Sequence, residues 1–275
     1  MTYQATTKMP VLFVGHGNPI NSINDNRFTR SWAELGKSLP RPRAILAISA
    51  HWYIPEVGVT VMNPPRTIHD FYGFPKELFE IQYPAPGCPE LAEQVADLLK
   101  PDSVSLNSDW GLDHGTWSVL RHIFPSANVP IIQLSLDTRN TPEEHYLRGQ
   151  CLADLREEGV MIIGSGNIVH NLRGFDWKNP SSAPPMWAVE FEGWNRDQLV
   201  SGTAAALTDY LAMGEMAALS APTPEHYLPL LYLAGLQESS DDVRFPVEGF
   251  DGGTMSMLSV HLTSQPFSKK RTSTR

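Results

Sequence analysis

Cysteine is scarce in this sequence. Its 275 residues include only two cysteines, Cys88 and Cys151, which lie far apart and form no CxxC pair. Neither a disulfide framework nor a zinc site built from thiolates is therefore expected, and we assign no role to either cysteine. A metal site in this protein would have to be built from other side chains.

Positive charge and long apolar runs are also lacking. The 21 Lys and Arg residues are outnumbered by 30 Asp and Glu residues, for a formal net charge of -9, so no overall positive field attracts nucleic acid or an anionic membrane. No apolar run reaches the about 18 residues that a membrane-spanning helix needs. The opening MTYQATTKMP lacks the apolar core of a signal peptide. We therefore expect a cytoplasmic protein with no nucleic-acid or membrane partner.

What the sequence does contain is a globular balance of 41% apolar and 19% charged residues. Short apolar segments of strand length alternate with segments of helical periodicity, for example a strand over 10–14 and a helix over 26–39. This alternation predicts an α/β protein. We expect one domain over 1–275, with an ordered core over about 9–262 and a basic tail over 263–275.

Histidines follow two of the predicted buried strands. The strand over 10–14 is followed by His16 between two glycines, and the apolar run over 44–49 is followed by His51. Ligands of open α/β sheets bind outside the carboxyl ends of the strands, and neighbouring strands lie about 4.8 Å apart, so two such histidines can reach one ion. Either histidine alone would be interpreted as structural, but the pair predicts a metal site at this edge.

Three more histidines stand at the ends of predicted elements. His114 precedes an apolar helix over 116–123, whose positive dipole end favours a neutral ring. His170 follows the glycine-rich strand end GSGN. Thr223 predicts the start of a helix that carries His226 in its first turn.

Two longer segments, 142–156 and 187–219, also have helical character. His145 in the first segment has no other candidate ligand beside it, and we expect it on the surface. The GSG at 164–166 does not extend to the GxGxxG of a dinucleotide site, because position 169 is Val. We therefore expect no nucleotide-binding loop there.

The histidines themselves indicate a type of chemistry. Histidine is the commonest metal ligand, and three neutral imidazoles on one face of an ion leave open positions for water or substrate. Four protein ligands in a closed tetrahedron would instead mark a structural site. The spacing does not choose between zinc and iron, and the bridging carboxylates of a di-metal hydrolase are not prominent.

Six segments together resemble the class III extradiol ring-cleavage dioxygenase family, in particular its 4,5-DOPA extradiol dioxygenase-like branch. They occur in the family's order and extend from about Met9 to Leu262: GHGNP, SAHW, IHDFYGFP, DHGTW, GSGNIVHN and TPEHYLPLLY. Each segment is weak evidence alone, but six in order are specific. The resemblance implies a single α/β domain with a central, mostly parallel or mixed sheet flanked by helices and a metal site at one end of the sheet.

The resemblance also implies roles for five histidines. His16, His51 and His226 match metal ligands. His170 matches an additional metal contact or a second-sphere base, and His114 matches a pocket acid or base, so these two are the candidate catalytic residues. The wider class binds Fe(II) with two histidines and a carboxylate, whereas the third position here is a histidine. The expected cofactor is one divalent metal ion per chain, Zn(II) or Fe(II).

The activity implied by the resemblance is cleavage of a catechol such as DOPA with O2, in which both oxygen atoms enter the product. Five residues are expected to line the substrate pocket: Trp52, His69, Phe71, Tyr72 and Trp117. Two alternatives remain open, a zinc-dependent hydrolase of a small ester or amide with His170 as base, and a non-catalytic metal-binding protein. A monomer and a small homo-oligomer are both compatible with the sequence.

Overall fold

The computed structural model of the chain describes residues 8–264. Apart from Thr263 and Ser264, the expected basic tail over 263–275 lies outside the described residues. The strands are β1 (Val11–Gly15), β2 (Ala44–Ile54), β3 (Val57–Thr60), β4 (Val104–Asn107), β5 (Ile131–Asp137), β6 (Val160–Gly166), β7 (Asp242–Val247), β8 (Phe250–Asp251), β9 (Met255–Ser256) and β10 (Ser259–Thr263).

Helices connect most of these strands. The α-helices are α1 (Arg27–Ser38), α2 (Lys76–Phe79), α3 (Pro89–Leu98), α4 (His114–Ile123), α5 (Pro142–Cys151), α6 (Met186–Val200), α7 (Glu215–Ser220) and α8 (Leu228–Leu236). The 3-10 helices span Pro19–Ser22, Ala153–Arg156 and Ala204–Met213. None of the described helices combines the length and the apolar character that a membrane crossing requires.

Eight strands form one mixed sheet in the order β4-β3-β5-β2-β6-β1-β10-β7. Its central strands β5, β2, β6 and β1 run parallel. β10 and β7 extend one side with antiparallel pairing, and β3 pairs antiparallel with β5 on the other side. The expected α/β domain with a central mixed sheet flanked by helices is confirmed.

Both faces of the central strands are buried. In β1, Val11 and Phe13 pack into an apolar cluster with α3, α6 and α8, whereas Leu12 and Val14 pack into a second cluster with α1 and α4. Successive side chains of a strand point to opposite faces, so strands covered on both sides have nearly continuous apolar sequences. This is why the central strands are recognisable from the sequence alone.

The helical character expected over 187–219 is distributed over three separate elements. This segment consists of α6, a 3-10 helix and α7. Gly202 and Gly214 separate them with φ angles of 75° and 61°, a backbone conformation that ends a right-handed helix and is readily adopted by glycine. The segment over 142–156 likewise divides into α5 and a 3-10 turn.

The prediction that His145 lies on the surface is wrong. Its side chain is buried where α5 packs against α8, and its Nδ1 lies 3.3 Å from the hydroxyl of Tyr232. Polar residues occupy much of the circumference of α5, so its sequence does not reveal which face packs inward.

The helix start expected at Thr223 lies too early. α8 begins at Leu228, and His226 occupies the turn before it and not the first turn of the helix. The Thr223 hydroxyl donates to Glu225 Oε1 at 2.7 Å and caps no helix. The backbone of His226 is nevertheless fixed, because its carbonyl accepts a hydrogen bond from the N–H of Asn167 at 2.9 Å.

Candidate metal centre

The candidate site lies where the parallel strands end. His16 directly follows β1, and Ser165 and Gly166 are the last residues of β6. β6 lies between β1 and β2 in the sheet, so the two strands that deliver His16 and His51 are not direct neighbours, contrary to the sequence-based expectation. The two histidines therefore reach toward each other across the end of β6.

His51 lies inside β2 and not beyond its end. β2 pairs regularly with β6 as far as Ser49, and its register with β5 shifts between Ile48 and Tyr53. Such irregularities bend a strand and redirect its side chains. The Nε2 atoms of His51 and His16 consequently lie 3.2 Å apart.

Two glycines leave the space that this convergence needs. A Cβ atom on Gly166 would lie 2.1 Å from the carbonyl oxygen of His226, and a Cβ atom on Gly115 would lie 2.9 Å from Cδ2 of His51. Both distances are far inside van der Waals contact. A larger residue at either position would push a histidine out of place.

All five histidines that the sequence singles out lie in one cluster. Ligand atoms of His16, His51 and His114 lie within 4.8 Å of one another. The ring centroid of His226 is 5.3 Å from that of His16 and 5.1 Å from that of His51. His170 stacks on His226, with centroids 3.5 Å apart and ring planes 5° from parallel.

Ser165 determines which nitrogen of His16 carries the proton. The Ser165 hydroxyl donates to the carbonyl of Gly115 at 2.5 Å, and a hydroxyl has only one proton to give. Its oxygen therefore accepts a hydrogen bond from His16 Nδ1, 2.9 Å away. This leaves the Nε2 lone pair of neutral His16 free for a ligand.

Asp70 lies against two of the histidines. Its Oδ2 is 3.1 Å from Nδ1 of His51 and 3.0 Å from Nδ1 of His114, and its Oδ1 accepts the backbone N–H of His114 at 2.9 Å. The approach to His114 Nδ1 is not in line with an N–H bond, so this buried nitrogen has no well-aligned partner among residues 8–264. The negative charge of Asp70 beside both rings nevertheless favours a proton on each Nδ1 and leaves each Nε2 free, because an ionised carboxylate has no proton to donate.

Glu225 lies beside Nδ1 of His226, as Asp70 lies beside Nδ1 of His51. Its Oε1 lies 3.1 Å from His226 Nδ1. Both side chains are largely buried, with 22% of Glu225 and 9% of His226 exposed. His226 can therefore also present Nε2 as a ligand atom.

Four of the five rings are kept neutral by their surroundings. Burial, with repulsion from neighbouring imidazoles, lowers the pKa of His16, His170 and His226 well below the usual value. The same causes lower the pKa of His114 to about 4. Neutral imidazoles are the form that binds a metal or accepts a proton.

The surroundings of His51 instead favour positive charge. Burial lowers the pKa of His51, but its contact with Asp70 and the charge of Asp113 outweigh burial and raise this pKa. Burial raises the pKa of Asp70, yet the contacts with His114 and His51 hold it well below the usual range. A negative charge at Asp70 therefore lies beside the Nδ1 atoms of His51 and His114.

The residues fit a divalent cation. His16 Nε2 carries no proton and faces His51 Nε2 at 3.2 Å, so either a proton on His51 Nε2 or a metal ion must lie between the two nitrogens. Two imidazole nitrogens bound to one zinc ion at about 2.0–2.1 Å lie roughly 3.3 Å apart in tetrahedral geometry. The observed spacing and the neutral nitrogen donors thus suit a metal site.

Three of the expected pocket residues form an aromatic group beside the histidines. Phe71 is buried and its ring packs edge-on against His114, with centroids 5.5 Å apart. His69 lies 5.8 Å from Phe71 and 5.6 Å from Trp117 by ring centroid. His69 Nε2 lies 2.9 Å from the carbonyl oxygen of Ile81, so this histidine is held away from the metal cluster.

The other two expected pocket residues are placed differently. Trp52 is buried and stacks on Trp110, with centroids 5.7 Å apart and planes 8° from parallel. The side chain of Tyr72 is 92% exposed. Of the five, Phe71 has the clearest contact with a histidine of the cluster.

Sequence reasoning does not single out Ser165, Asp70 or Glu225 as site residues. Each lies inside one of the six segments that resemble the dioxygenase family, and this position is the signal by which the sequence could have identified it as a site residue. Adjacency in sequence suggests Asp70 as a partner of its neighbour His69, but the folded chain directs Asp70 to other histidines. Contacts between distant segments cannot be derived from spacing along the chain.

Residues 9–262 match the family model described as the catalytic LigB subunit of aromatic ring-opening dioxygenase. The chain belongs to this family. It is 47% identical over 262 residues to the 4,5-DOPA dioxygenase extradiol of Escherichia coli (strain K12), which covers 94% of this chain and 96% of that protein. It is 38% identical over 259 residues to the protein of the same name from Beta vulgaris, covering 92% and 96% respectively.

A solved structure supports the same relationship. A crystal structure of an uncharacterised protein from Escherichia coli K12 superimposes with a TM-score of 0.80 at 44% identity, covering 92% of this chain and 99% of that one. As a LigB family member, the chain is an extradiol ring-cleaving dioxygenase, an oxidoreductase that acts on a small aromatic substrate with O2. LigB family dioxygenases are metal-dependent, and the cluster containing His16, His51 and His114 provides a site of the required kind.

Proposed function

We propose that this chain cleaves the ring of a catechol such as DOPA, using one divalent metal ion, Zn(II) or Fe(II), held by His16, His51 and His226. The observation that carries the proposal is the convergence of five imidazoles, four of them kept neutral, at the end of the sheet in a LigB family member. The names of the relatives from Escherichia coli and Beta vulgaris support DOPA as the substrate to test first.

The third ligand is the least obvious of the set, because His114 also has a ligand atom within 4.8 Å of those of His16 and His51. His114 begins α4, and the positive end of a helix dipole disfavours a neighbouring cation. His226 lies outside a helix and has its own carboxylate partner, Glu225. These features favour His226 as ligand and leave His114 for proton transfer.

His170 is proposed as an acid–base residue and not as a fourth ligand. Its ring is parallel to that of His226 at a centroid distance of 3.5 Å. Ring lone pairs lie in the ring plane, so the lone pairs of two stacked rings run side by side and do not converge on one point. A neutral His170 can instead accept a proton from a catechol hydroxyl and later return it.

When bound, a divalent metal ion polarises the catechol oxygens, and a redox-active ion such as Fe(II) also makes electrons available for reaction with O2. The protein residues bind, orient and exchange protons. His114 and His170 are neutral because burial lowers the pKa of each, so either accepts a hydroxyl proton. Phe71 packs against His114 and supplies an apolar surface for an aromatic ring. The carbon–carbon bond that breaks lies beside the two hydroxyls, and both O2 atoms enter the product.

Two other functions were compatible with the sequence. A zinc-dependent hydrolase and a non-catalytic metal-binding protein would both use the same histidines. Membership of a family of aromatic ring-opening dioxygenases favours the dioxygenase over both.

The test is reconstitution without oxygen. Metal-free protein is loaded with Fe(II) or Zn(II), metal occupancy is measured, and O2 uptake is followed with an electrode after addition of L-DOPA or unsubstituted catechol. We expect one O2 consumed per catechol opened by the iron-loaded protein. His16→Ala serves as the control that should retain little metal. Full iron occupancy without O2 uptake on either compound would refute the proposal.

The remaining expectations belong to the same proposal. The protein acts in the cytoplasm on a small aromatic substrate, binds neither nucleic acid nor membrane, and is a monomer or a small homo-oligomer. The formal net charge of -9 supports the absence of polyanionic partners.

A further inference from the structure

Asp70 reaches two different elements from one loop. It lies between β3 and α2, and its side chain is 16% exposed. One of its neighbours is His51 in the irregular part of β2, and the other is His114 at the first position of α4. The loop therefore connects a sheet strand to the start of a helix through one side chain.

Both histidines approach the same carboxylate oxygen. Asp70 Oδ2 lies 3.1 Å from His51 Nδ1 and 3.0 Å from His114 Nδ1, so one negatively charged oxygen lies beside both ring nitrogens, although its approach to His114 Nδ1 is not in line with an N–H bond. The second oxygen, Oδ1, accepts the backbone N–H of His114 at 2.9 Å. A carboxylate at a helix N-terminus is stabilised by the helix dipole, so α4 and the two rings fix Asp70 from three directions.

The two rings are also in mutual contact. The centroids of His51 and His114 are 3.9 Å apart. Phe71, the residue after Asp70, packs edge-on against His114. A displacement of Asp70 would therefore move both histidines and the aromatic surface beside them.

Other residues that orient the cluster serve one histidine each. Ser165 contacts His16 and Glu225 contacts His226. Asp70 differs because its two histidines have different proposed roles, one as a metal ligand and the other as an acid–base group.

We propose that Asp70 is a positioning residue that couples metal binding to proton transfer. Its Oδ2 holds His51 with Nε2 toward the metal and holds His114 beside it. The proposal rests on the ligand role proposed for His51 and the proton-transfer role proposed for His114. Loss of Asp70 should impair both roles at once, whereas loss of Glu225 should impair metal binding alone.

The test compares Asp70→Asn with two matched amide variants. Glu225→Gln removes the carboxylate beside His226, and Asp25→Asn removes a surface carboxylate whose Oδ1 pairs with Arg30 at 2.6 Å. The affinity of the full chain for Co(II) is measured by competition with a chromophoric chelator. The protonated nitrogen of each histidine ring is identified in the metal-free protein by long-range 1H–15N NMR.

We expect Asp70→Asn to lower Co(II) affinity by about 10–100-fold and to release both His51 and His114 from the form protonated at Nδ1. Glu225→Gln should lower Co(II) affinity and leave the His114 signals unchanged, and Asp25→Asn should change neither. At saturating metal, Asp70→Asn should still show a lower kcat with a similar KM. Asp70→Ser, checked by thermal unfolding, replaces the amide variant if that variant does not fold.

Three results would overturn the proposal. The first is wild-type Co(II) affinity in the Asp70 variants, and the second is a His114 ring that keeps its Nδ1 proton without Asp70. The third is complete recovery of kcat at saturating metal, which would contradict the coupling. If the wild-type protein cleaves no catechol, the proposed function fails, while the affinity and NMR results still determine the role of Asp70.

Discussion

At the scale of single residues, the direction of the ring nitrogens organises the metal cluster. The Nδ1 atoms of His16, His51 and His226 each face an oxygen, supplied by Ser165, Asp70 and Glu225 respectively. Such partners fix the orientation of a metal-binding imidazole and raise its basicity. The three rings can thereby present Nε2 toward a shared point before a metal binds.

The choice of His226 as third ligand leads to a direct comparison. His226→Ala should lose most of its metal on dialysis, because a proposed ligand is removed. His114→Ala should retain its metal but lose ring-cleavage rate by roughly 10²- to 10⁴-fold, since an acid–base group is removed. Metal analysis and O2 uptake measure the two effects separately.

His122→Ala is the matched control, because the Nε2 of His122 lies 2.9 Å from the Asn21 carbonyl oxygen and outside the cluster. It should leave both metal content and rate near the wild-type values. The reverse pattern, with metal lost from His114→Ala and kept by His226→Ala, would assign the third position to His114.

At the scale of elements, the site depends on close approach between backbone segments. The end of β6 lies directly beneath the turn that carries His226, and the carbonyl of His226 would be 2.1 Å from a Cβ on Gly166. The glycines around the cluster therefore serve packing as much as conformational freedom. The turn before α8 can approach the end of β6 this closely only because Gly166, the last residue of the strand, has no side chain.

Gly166→Ala should displace the His226 turn. We expect the free energy of unfolding to fall by about 1–3 kcal/mol, as is usual for an overpacked buried position, and Co(II) affinity to fall with it. Urea unfolding and chelator competition measure the two quantities.

Gly193→Ala provides the comparison, because Gly193 lies in α6 and a Cβ there would meet nothing within 4 Å. The same substitution in an open helical position should stabilise the protein by roughly 0.5–1 kcal/mol and leave Co(II) affinity unchanged. Equal effects of the two alanines would show that the approach of Gly166 to His226 is unimportant.

At the scale of the whole molecule, the sheet collects residues that are far apart in the sequence. Parallel pairing of β5, β2, β6 and β1 brings the carboxyl ends of these strands to one edge. The helices that cover the sheet then bury additional histidines that have no part in the site. His145, enclosed between α5 and α8, is an example.

Buried His145 should make stability depend on pH. Burial, with repulsion from Arg148, lowers the pKa of His145 to about 4, compared with about 6.5 in an unfolded chain. Between these values the unfolded state binds a proton that the folded state does not, so this histidine reduces stability as the pH falls from 6.5 toward 4. Above pH 6.5 His145 is neutral in both the folded and the unfolded protein, and its effect on stability vanishes.

His145→Gln should therefore lose less stability on acidification than the wild type. Between pH 7 and pH 5 we expect the difference in the loss of unfolding free energy to be about 2 kcal/mol. Urea unfolding of metal-free protein at both pH values measures it, because pH-dependent metal binding then makes no contribution and the other histidines titrate in both proteins. Identical losses in the two proteins would contradict the buried, neutral state of His145.

Much of the fold could be predicted from the sequence for a simple physical reason. Central strands covered on both faces are nearly continuous apolar runs, as in Val11–Gly15, and their ends are marked by glycine. Helix boundaries were predicted less well, because a helix can end at a glycine within a continuous apolar pattern, as at Gly202. The buried face of α5 was not predictable, since polar residues surround most of that helix.

The sequence by itself determined the composition of the site: His16, His51, His114, His170 and His226 stand next to turns or element ends, and all five meet in one cluster. Only the tertiary structure decided how they are arranged. It placed β6 between the two histidine-bearing strands, directed Asp70 away from its neighbour His69, and stacked His170 on His226. Local patterns record which residues end an element, but contacts between ring atoms depend on the packing of segments that are distant in the chain.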